Sequence, residues 1–158
     1  MKTAGIISVG TEIMLGKIDD TNATYLSKWL KDCGIKVNLR LTVEDNIHSI
    51  VSAIEHIGSL DLIILTGGLG PTSDDITREA LARFLNRRLI FHEEVYQRIA
   101  SLFVKLNKPV ASSNRKQAEL IDGGEFLINE FGTAPGMLYE ENGRIFVLLP
   151  GPPRENQP

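Results

Sequence analysis

Cysteine occurs once in the 158 residues, at Cys33, so no disulfide can form within the chain. A reducing compartment is the simpler expectation, and Cys33, near the end of an apolar-striped segment, is expected to pack. Basic residues are not in surplus either. Seventeen lysines and arginines against 20 aspartates and glutamates leave a net charge of −3, which argues against a nucleic-acid partner, because such proteins carry basic excess to displace counterions. No apolar run approaches the ~20 residues of a membrane span; Ile145 to Leu149 is among the longest. The N-terminal stretch has one lysine and is interrupted by Gly10 and Glu12, which is unlike a signal peptide. The expectation is a cytoplasmic protein without membrane or nucleic-acid partners. No histidine stands at ligand spacing from the cysteine, and there is no Gly-x-Ser-x-Gly elbow.

The length suits one domain, residues 1–158, able to bury roughly 70% of its unfolded surface without disulfide or metal. Short apolar runs alternate with amphipathic segments. Ala4 to Val9 reads as a buried strand. Thr21 to Cys33 reads as a helix capped by Thr21 or Asn22, with Leu26, Trp29, Leu30 and Cys33 at helical spacing and Gly34 ending it. Ile35 to Val43 alternates as a strand, and Asn46 caps a helix with the stripe Ile47, Ile50, Val51, Ile54 and Ile57. Leu60 to Thr66 is the most hydrophobic strand and is expected to be central. Helices are predicted from about Asp75 to Leu85, from Glu93 to Leu106 and from Asn114 to Leu120, with a short strand near Leu89 to Phe91. Glu125 to Ile128, Met137 to Glu140 and Ile145 to Leu149 are strand-like, the last two joined by the hairpin signal Asn142-Gly143. The class is α/β: parallel strands with helices on both faces and an antiparallel hairpin at the C-terminal side.

The most informative stretch is Leu65-Thr66-Gly67-Gly68-Leu69-Gly70-Pro71-Thr72-Ser73-Asp74-Asp75. It leaves the central strand at the end where open α/β folds place ligands. Its glycines let a ligand approach the backbone. A helix start behind it suits a phosphate, with Thr72 and Ser73 as hydroxyl donors. A capped βα loop is the plainer reading. Two adjacent carboxylates, Asp74 and Asp75, would repel a phosphate unless a divalent cation lies between them. Either one caps the helix while the other holds a metal, or both merely favour the helix dipole.

Gly10-Thr11-Glu12 follows the first strand and opens at the same end, with Asp20-Thr21-Asn22 beyond it. Glu12 is a candidate metal ligand or general base, and Thr11 and Asn22 are candidate ligand contacts; Asp20 and Thr21 are expected only to cap a helix. Gly132-Thr133-Ala134-Pro135-Gly136 and Leu149-Pro150-Gly151-Pro152-Pro153 are further tight loops, contributing Gly132, Thr133, Ala134 and Gly151 as candidates. Asn114-Arg115-Lys116-Gln117 reads as a solvated helix start that could also bring positive charge near a phosphate.

Together, GTEIMLGKIDDTNATYLS, TGGLGPTSDD, NRKQA, GTAPG and LPGPPRE resemble the N-terminal domain of the competence-damage-inducible CinA family, from about Ile6 to Glu155. That domain is similar to the molybdopterin-binding fold of MogA, MoaB and the gephyrin G domain. The resemblance implies a three-layer α/β/α sandwich, homo-oligomeric as a dimer or trimer. It also implies divalent-metal-dependent hydrolysis of ADP-ribose to AMP and ribose 5-phosphate, with Mg²⁺, Mn²⁺ or Co²⁺. The family's acidic positions match Asp74 and Asp75 after the glycine loop, and Asp45 after the second strand.

Three departures accompany it. The family usually continues past the LPGPPRE motif through a helix that Glu155-Asn156-Gln157-Pro158 does not provide. The C-terminal nicotinamide-mononucleotide-deamidating domain of larger members is outside this chain, and that activity is not carried over. Pro152 stands where the molybdopterin branch commonly has Ser or Asn, which weighs against pterin transfer. The leading expectation is an ADP-ribose pyrophosphatase-like hydrolase. The amides of Gly67 to Gly70 would hold a phosphate, Asp74, Asp75 and Glu12 a metal, and Asp45 or Glu12 would act as base. The alternatives are molybdopterin adenylyl transfer and a non-catalytic nucleotide-binding module.

Overall fold

The computed structural model describes Met1 to Asn156. A six-stranded sheet carries the fold, in the order β2-β1-β3-β8-β7-β6. Strand β1 (Thr3–Val9) pairs in parallel with β2 (Lys36–Val43) and with β3 (Leu62–Thr66). On the other side of β3 lies β8 (Arg144–Leu149), also parallel, followed by antiparallel β7 (Gly136–Glu141) and β6 (Glu125–Leu127). The run LIILT is therefore central, as its hydrophobicity predicts. The hairpin β7–β8 turns through Asn142 and Gly143, both at positive φ, as a two-residue turn between right-twisted strands demands.

Helices cover both faces. On one face α3 (Ile47–Ile57) buries Ile50, Ala53, Ile54 and Ile57, and α4 (Thr77–Phe84) buries Ala80 and Leu81. Both pack with Ile7, Ile63, Leu65, Phe146 and Leu148 of the sheet. On the other face α2 (Thr21–Asp32) places Ala23, Leu26 and Leu30 against Ala4, Ile6 and Ile64. The result is a three-layer α/β/α sandwich. A helix α5 (Glu93–Lys105) and a small antiparallel sheet of β4 (Leu89–Phe91) and β5 (Glu119–Ile121) flank it. No helix among the described residues is long and apolar enough to cross a membrane.

Several local expectations are corrected. The α2 stripe is Ala23, Leu26 and Leu30, which turns Trp29 outward at 53% exposure and leaves Cys33 exposed instead of packed. Of the cap candidates Asp20, Thr21 and Asn22, it is Asp20 that caps α2, by accepting from the Ala23 amide. Glu12 lies in a four-residue helix, α1 (Thr11–Met14), within the segment read as loop. Residues 114–120 form no α-helix: Ser112–Ala118 is a 3₁₀ helix, and Glu119 already belongs to β5. Helix α4 starts at Thr77, because Asp75 folds back onto Thr72 before the helix begins. Pro153–Asn156 forms a short helix, α6; the expected absence of a family helix extends to residues 157 and 158, outside the described residues.

Asp61, just before β3, ties β3 to β1. Its carboxylate accepts from the Thr3 amide and hydroxyl, each at 2.8 Å, and pairs with Lys2. These donors hold its pKa down at about 2. A carboxylate depressed on folding contributes stability that is complete above the unfolded value and lost as pH falls through the folded one. Urea midpoints should therefore decline from about pH 4 towards pH 2, and Asp61→Asn should flatten that portion of the curve. An unchanged slope in the variant would refute the assignment.

Candidate functional site

A cavity of about 510 Å³ opens at the carboxyl ends of the parallel strands, lined by Val9 at the end of β1, Asp45 after β2, Thr66 at the end of β3 with Gly67 to Pro71 beyond it, and Pro150 to Pro153 after β8. This is the switch point of the sheet. From β1 the chain crosses to β2 through α2 on one face, then returns to β3 through α3 on the other. The loops after β1 and β3 therefore part and leave a crevice between them.

Backbone geometry makes the glycine loop a donor array. The Gly67 amide is used up, donating to Leu149 O at 3.0 Å, so it is not among the ligand donors. The next three carbonyls all turn back onto the head of α4. Gly67 O accepts from Thr77 Oγ1 at 2.8 Å, Gly68 O from Thr77 N at 3.2 Å, and Leu69 O from Arg78 Nη1 at 3.0 Å. In a planar trans peptide the carbonyl and the next amide point oppositely. The Gly68, Leu69 and Gly70 amides consequently face away from α4, make no hydrogen bond among the described residues, and belong to residues lining the cavity. The donors are this loop's own amides, since the first α4 amide is already spent on Gly68 O.

The loop's shape depends on glycine. Gly67 has φ +94°, and a Cβ there would run into Val9 O of the neighbouring strand end. A Cβ on Gly70 would lie 2.6 Å from Asp75 Oδ2. At Gly67 the obstacle is backbone and the φ is left-handed, so no side chain fits; at Gly70 the Asp75 carboxylate would have to swing away from Thr72.

The carboxylates divide by what they hold. Asp75 lines the cavity, and its Oδ2 accepts from Thr72 N at 2.8 Å and Thr72 Oγ1 at 2.5 Å. Asp45 lines it too, and accepts from Thr11 N at 2.8 Å and Thr11 Oγ1 at 2.9 Å. Glu12 and Asp19 lie on the rim. Asp20 accepts from Ser8 Oγ at 2.5 Å besides capping α2, yet it also reaches the cavity. Asp74 is exposed, bonded among the described residues only to Ser73 Oγ at 3.4 Å, and does not line the cavity. Of the adjacent pair, Asp75 alone is at the site.

Thr66, Gly67, Gly68, Leu69, Gly70, Glu12, Asp45, Asp75, Asn22, Thr133, Ala134 and Gly151 are thus brought to one cavity. Thr11, Thr72, Ser73, Asp74 and Gly132 do not line it. The Thr11 and Thr72 hydroxyls are committed to the neighbouring aspartates, Ser73 points outward with Asp74, and Gly132 is packed under the Glu155 carboxylate.

The residues that hold the loops in place are less legible in the sequence. Asn22 donates to Gly151 O at 2.8 Å, joining α2 to the loop after β8. Gln117, buried in the 3₁₀ helix, accepts from Asn114 at 2.9 Å and reaches the Thr133 hydroxyl at 3.5 Å. Lys116 donates to Thr72 O and Asp75 O and pairs with Glu79 at 3.0 Å, so it pins the glycine loop and is no solvated bystander. Glu155 lines the cavity with its side chain 8% exposed, fixed by Asn129 at 2.7 Å. Arg78, 2% exposed, donates to Leu69 O and, at 2.7 Å, to Pro135 O. Burial lowers its pKa to about 10, against the pull of Glu79, Asp75 and Glu119. Its only sequence signal is a charge on the inner side of an amphipathic helix.

No group of three or more His, Cys, Asp or Glu side chains converges among the described residues. The described residues alone therefore do not form a closed metal site. The donor set fits a cation shared between one or two carboxylates and a ligand phosphate, as is usual for Mg²⁺.

Comparison with known proteins agrees with this layout. The family described as "Probable molybdopterin binding domain" matches residues 5–158. A CinA-like protein of Dictyoglomus turgidum is 48% identical over 154 residues, which are 97% of this chain and 38% of that protein. A competence-damage inducible protein of Natranaerobius thermophilus is 50% identical over 151 residues, 95% of this chain and 37% of its own length. The chain thus spans under two-fifths of these relatives. The crystal structure of CinA from Thermoplasma acidophilum superposes with a TM-score of 0.89 at 31% identity, covering 99% of this chain and 92% of that one. The molybdopterin biosynthesis enzyme MoaB of Thermus thermophilus gives 0.65 at 19% identity, over 99% and 86% of the two chains, which shows the shared fold alone.

Proposed function

The chain belongs to the CinA family and carries its molybdopterin-binding-type domain, and from that premise we propose that the cavity binds the phosphate or diphosphate of a molybdopterin- or adenylate-type small molecule. The single observation that carries this reading is the trio of unpaired amides, Gly68 to Gly70, with their carbonyls fastened behind them. Successive amides aimed into a concavity form an anion receptor that no side chain need complete. The cavity volume suits a nucleotide-sized ligand.

A second reading is favoured by the acidic rim. Asp75, Asp45, Glu12 and Asp19 line the same cavity as the amide trio. Several carboxylates around a bound diphosphate are tolerable when a cation enters with it. Asp75 or Glu12 would contact that cation, while Asp45 or Glu12 would orient and deprotonate a water near the phosphorus. A divalent ion there would neutralise phosphoryl charge. The reaction class is hydrolysis of an adenylate-linked phosphoanhydride such as ADP-ribose, releasing AMP.

Calorimetric titration with ADP-ribose and with a pterin phosphate, first metal-free and then with Mg²⁺, Mn²⁺ or Co²⁺, tests both readings. Saturable binding of either is expected. Asp75→Asn keeps an acceptor for Thr72 but removes the charge, so it should bind in metal-free buffer at least as tightly as the wild type and release no AMP with metal. Wild-type protein that binds neither compound under any condition overturns the proposal. Binding without AMP release removes only the hydrolytic reading.

A further inference from the structure

Arg78 is unusual for a charged group so deeply buried. It forms no ion pair among the described residues. Among the described residues, both hydrogen bonds of its guanidinium go to neutral carbonyls and its Nε has no partner. Buried charges are ordinarily paired, because an uncompensated one keeps its full desolvation cost. Here the nearest carboxylates, Asp75, Glu79 and Glu119, act on the guanidinium without touching it, and the carbonyl it does touch, Leu69 O, belongs to the loop of the proposed anion site.

We infer that Arg78 is a positioning residue for the bound phosphate: it polarises the Leu69–Gly70 peptide from behind, so that the Gly70 amide becomes the strongest donor of the loop towards the ligand's anion. The inference rests on the phosphate-binding reading above. A charge-assisted bond to a carbonyl draws electron density from the peptide and strengthens the amide at its other end. The Gly67–Gly68 peptide, in contrast, is backed only by the neutral Thr77 hydroxyl. Through Pro135 O the same guanidinium also holds the Gly132–Gly136 loop, so Thr133 and Ala134 keep their register on the opposite wall of the cavity.

The charges facing Arg78 are Asp75 from the glycine loop, Glu79 on its own helix and Glu119 of β5, with Lys116 of the 3₁₀ helix pairing to Glu79. All four groups are common to every variant below.

The test is the affinity for ADP-ribose, whose diphosphate charge is constant from pH 7 to 9.5, in the wild type, Arg78→Lys and Arg78→Gln, with circular dichroism as a check on folding. Wild-type affinity should stay level across that range. Arg78→Gln should bind about tenfold to hundredfold more weakly at every pH. Arg78→Lys should bind well at pH 7 and fade towards the glutamine variant as pH rises, because burial lowers a lysine pKa into this window. A folded Arg78→Gln that binds like wild type, or an Arg78→Lys profile that is flat, overturns the inference while leaving phosphate binding intact. If wild type binds no ADP-ribose, the underlying reading falls and this one falls with it. Should neither variant fold, the wild type still decides. On adding ADP-ribose the Gly70 amide resonance should shift more than that of Gly68, and an equal or smaller shift refutes the assignment.

Discussion

Gly67→Ala should destabilise the protein by about 3 kcal/mol or more, from backbone strain and overpacking combined, and should abolish ligand binding in whatever fraction still folds. The reason is local. The residue sits at φ +94°, and its Cβ would be driven into Val9 O, a backbone atom that cannot rotate away. Relief requires the ends of β1 and β3 to separate, which pulls the glycine loop from the crevice between them. Gly143→Ala is the control. Gly143 has φ +75° but open space around the position of a Cβ, so it should cost only about 1 kcal/mol. Chemical denaturation of both variants measures the contrast. Equal costs would mean that backbone conformation alone, and not the approach of the two strand ends, dictates glycine at position 67.

Thr77→Val should have the second-largest effect, and mostly on binding. Thr77 is fully buried, and its hydroxyl donates to Gly67 O while its amide donates to Gly68 O. Valine keeps the shape and the amide but leaves Gly67 O buried without its donor, a cost of about 1–3 kcal/mol. That carbonyl is what turns the Gly68 amide outward, so ADP-ribose affinity should drop about tenfold or more. The urea midpoint and a calorimetric titration on the same sample separate the two effects. A variant with lowered stability and undiminished affinity would show that the amide trio does not depend on its backing. Thr77→Ser, which retains the donor, should recover most of the binding.

The parts of the fold that were readable in advance are those governed by short-range pattern. The run LIILT reads as the most hydrophobic and hence central strand, Asn142-Gly143 is a hairpin signal, and the α3 stripe points to one face. Where two neighbouring stripes competed, periodicity was insufficient. Trp29 and Cys33 share helical spacing with Leu26 and Leu30, yet the sheet touches the Ala23 side and turns the other pair to solvent. The 3₁₀ helix was missed because its buried residues, Asn114 and Gln117, are polar and find each other as partners instead of following an apolar rhythm.

At the site, composition alone could identify a glycine-rich βα loop beside acidic residues, since the need for positive φ and for close approach is written in the residue types. It could not decide which of Asp74 and Asp75 faces the cavity. That follows from the Asp75 carboxylate closing on Thr72, a bond that exists only once the loop is folded. Nor could it reveal that the donors are loop amides backed by Thr77 and Arg78 from the next helix, or that loops more than fifty residues apart meet at one guanidinium. Local conformational preferences are carried by each residue and its neighbours, so the chain determined its strands, turns and glycine loop by itself. Hydrogen-bond partners and buried charge are properties of pairs distant in sequence, and only tertiary packing decides them.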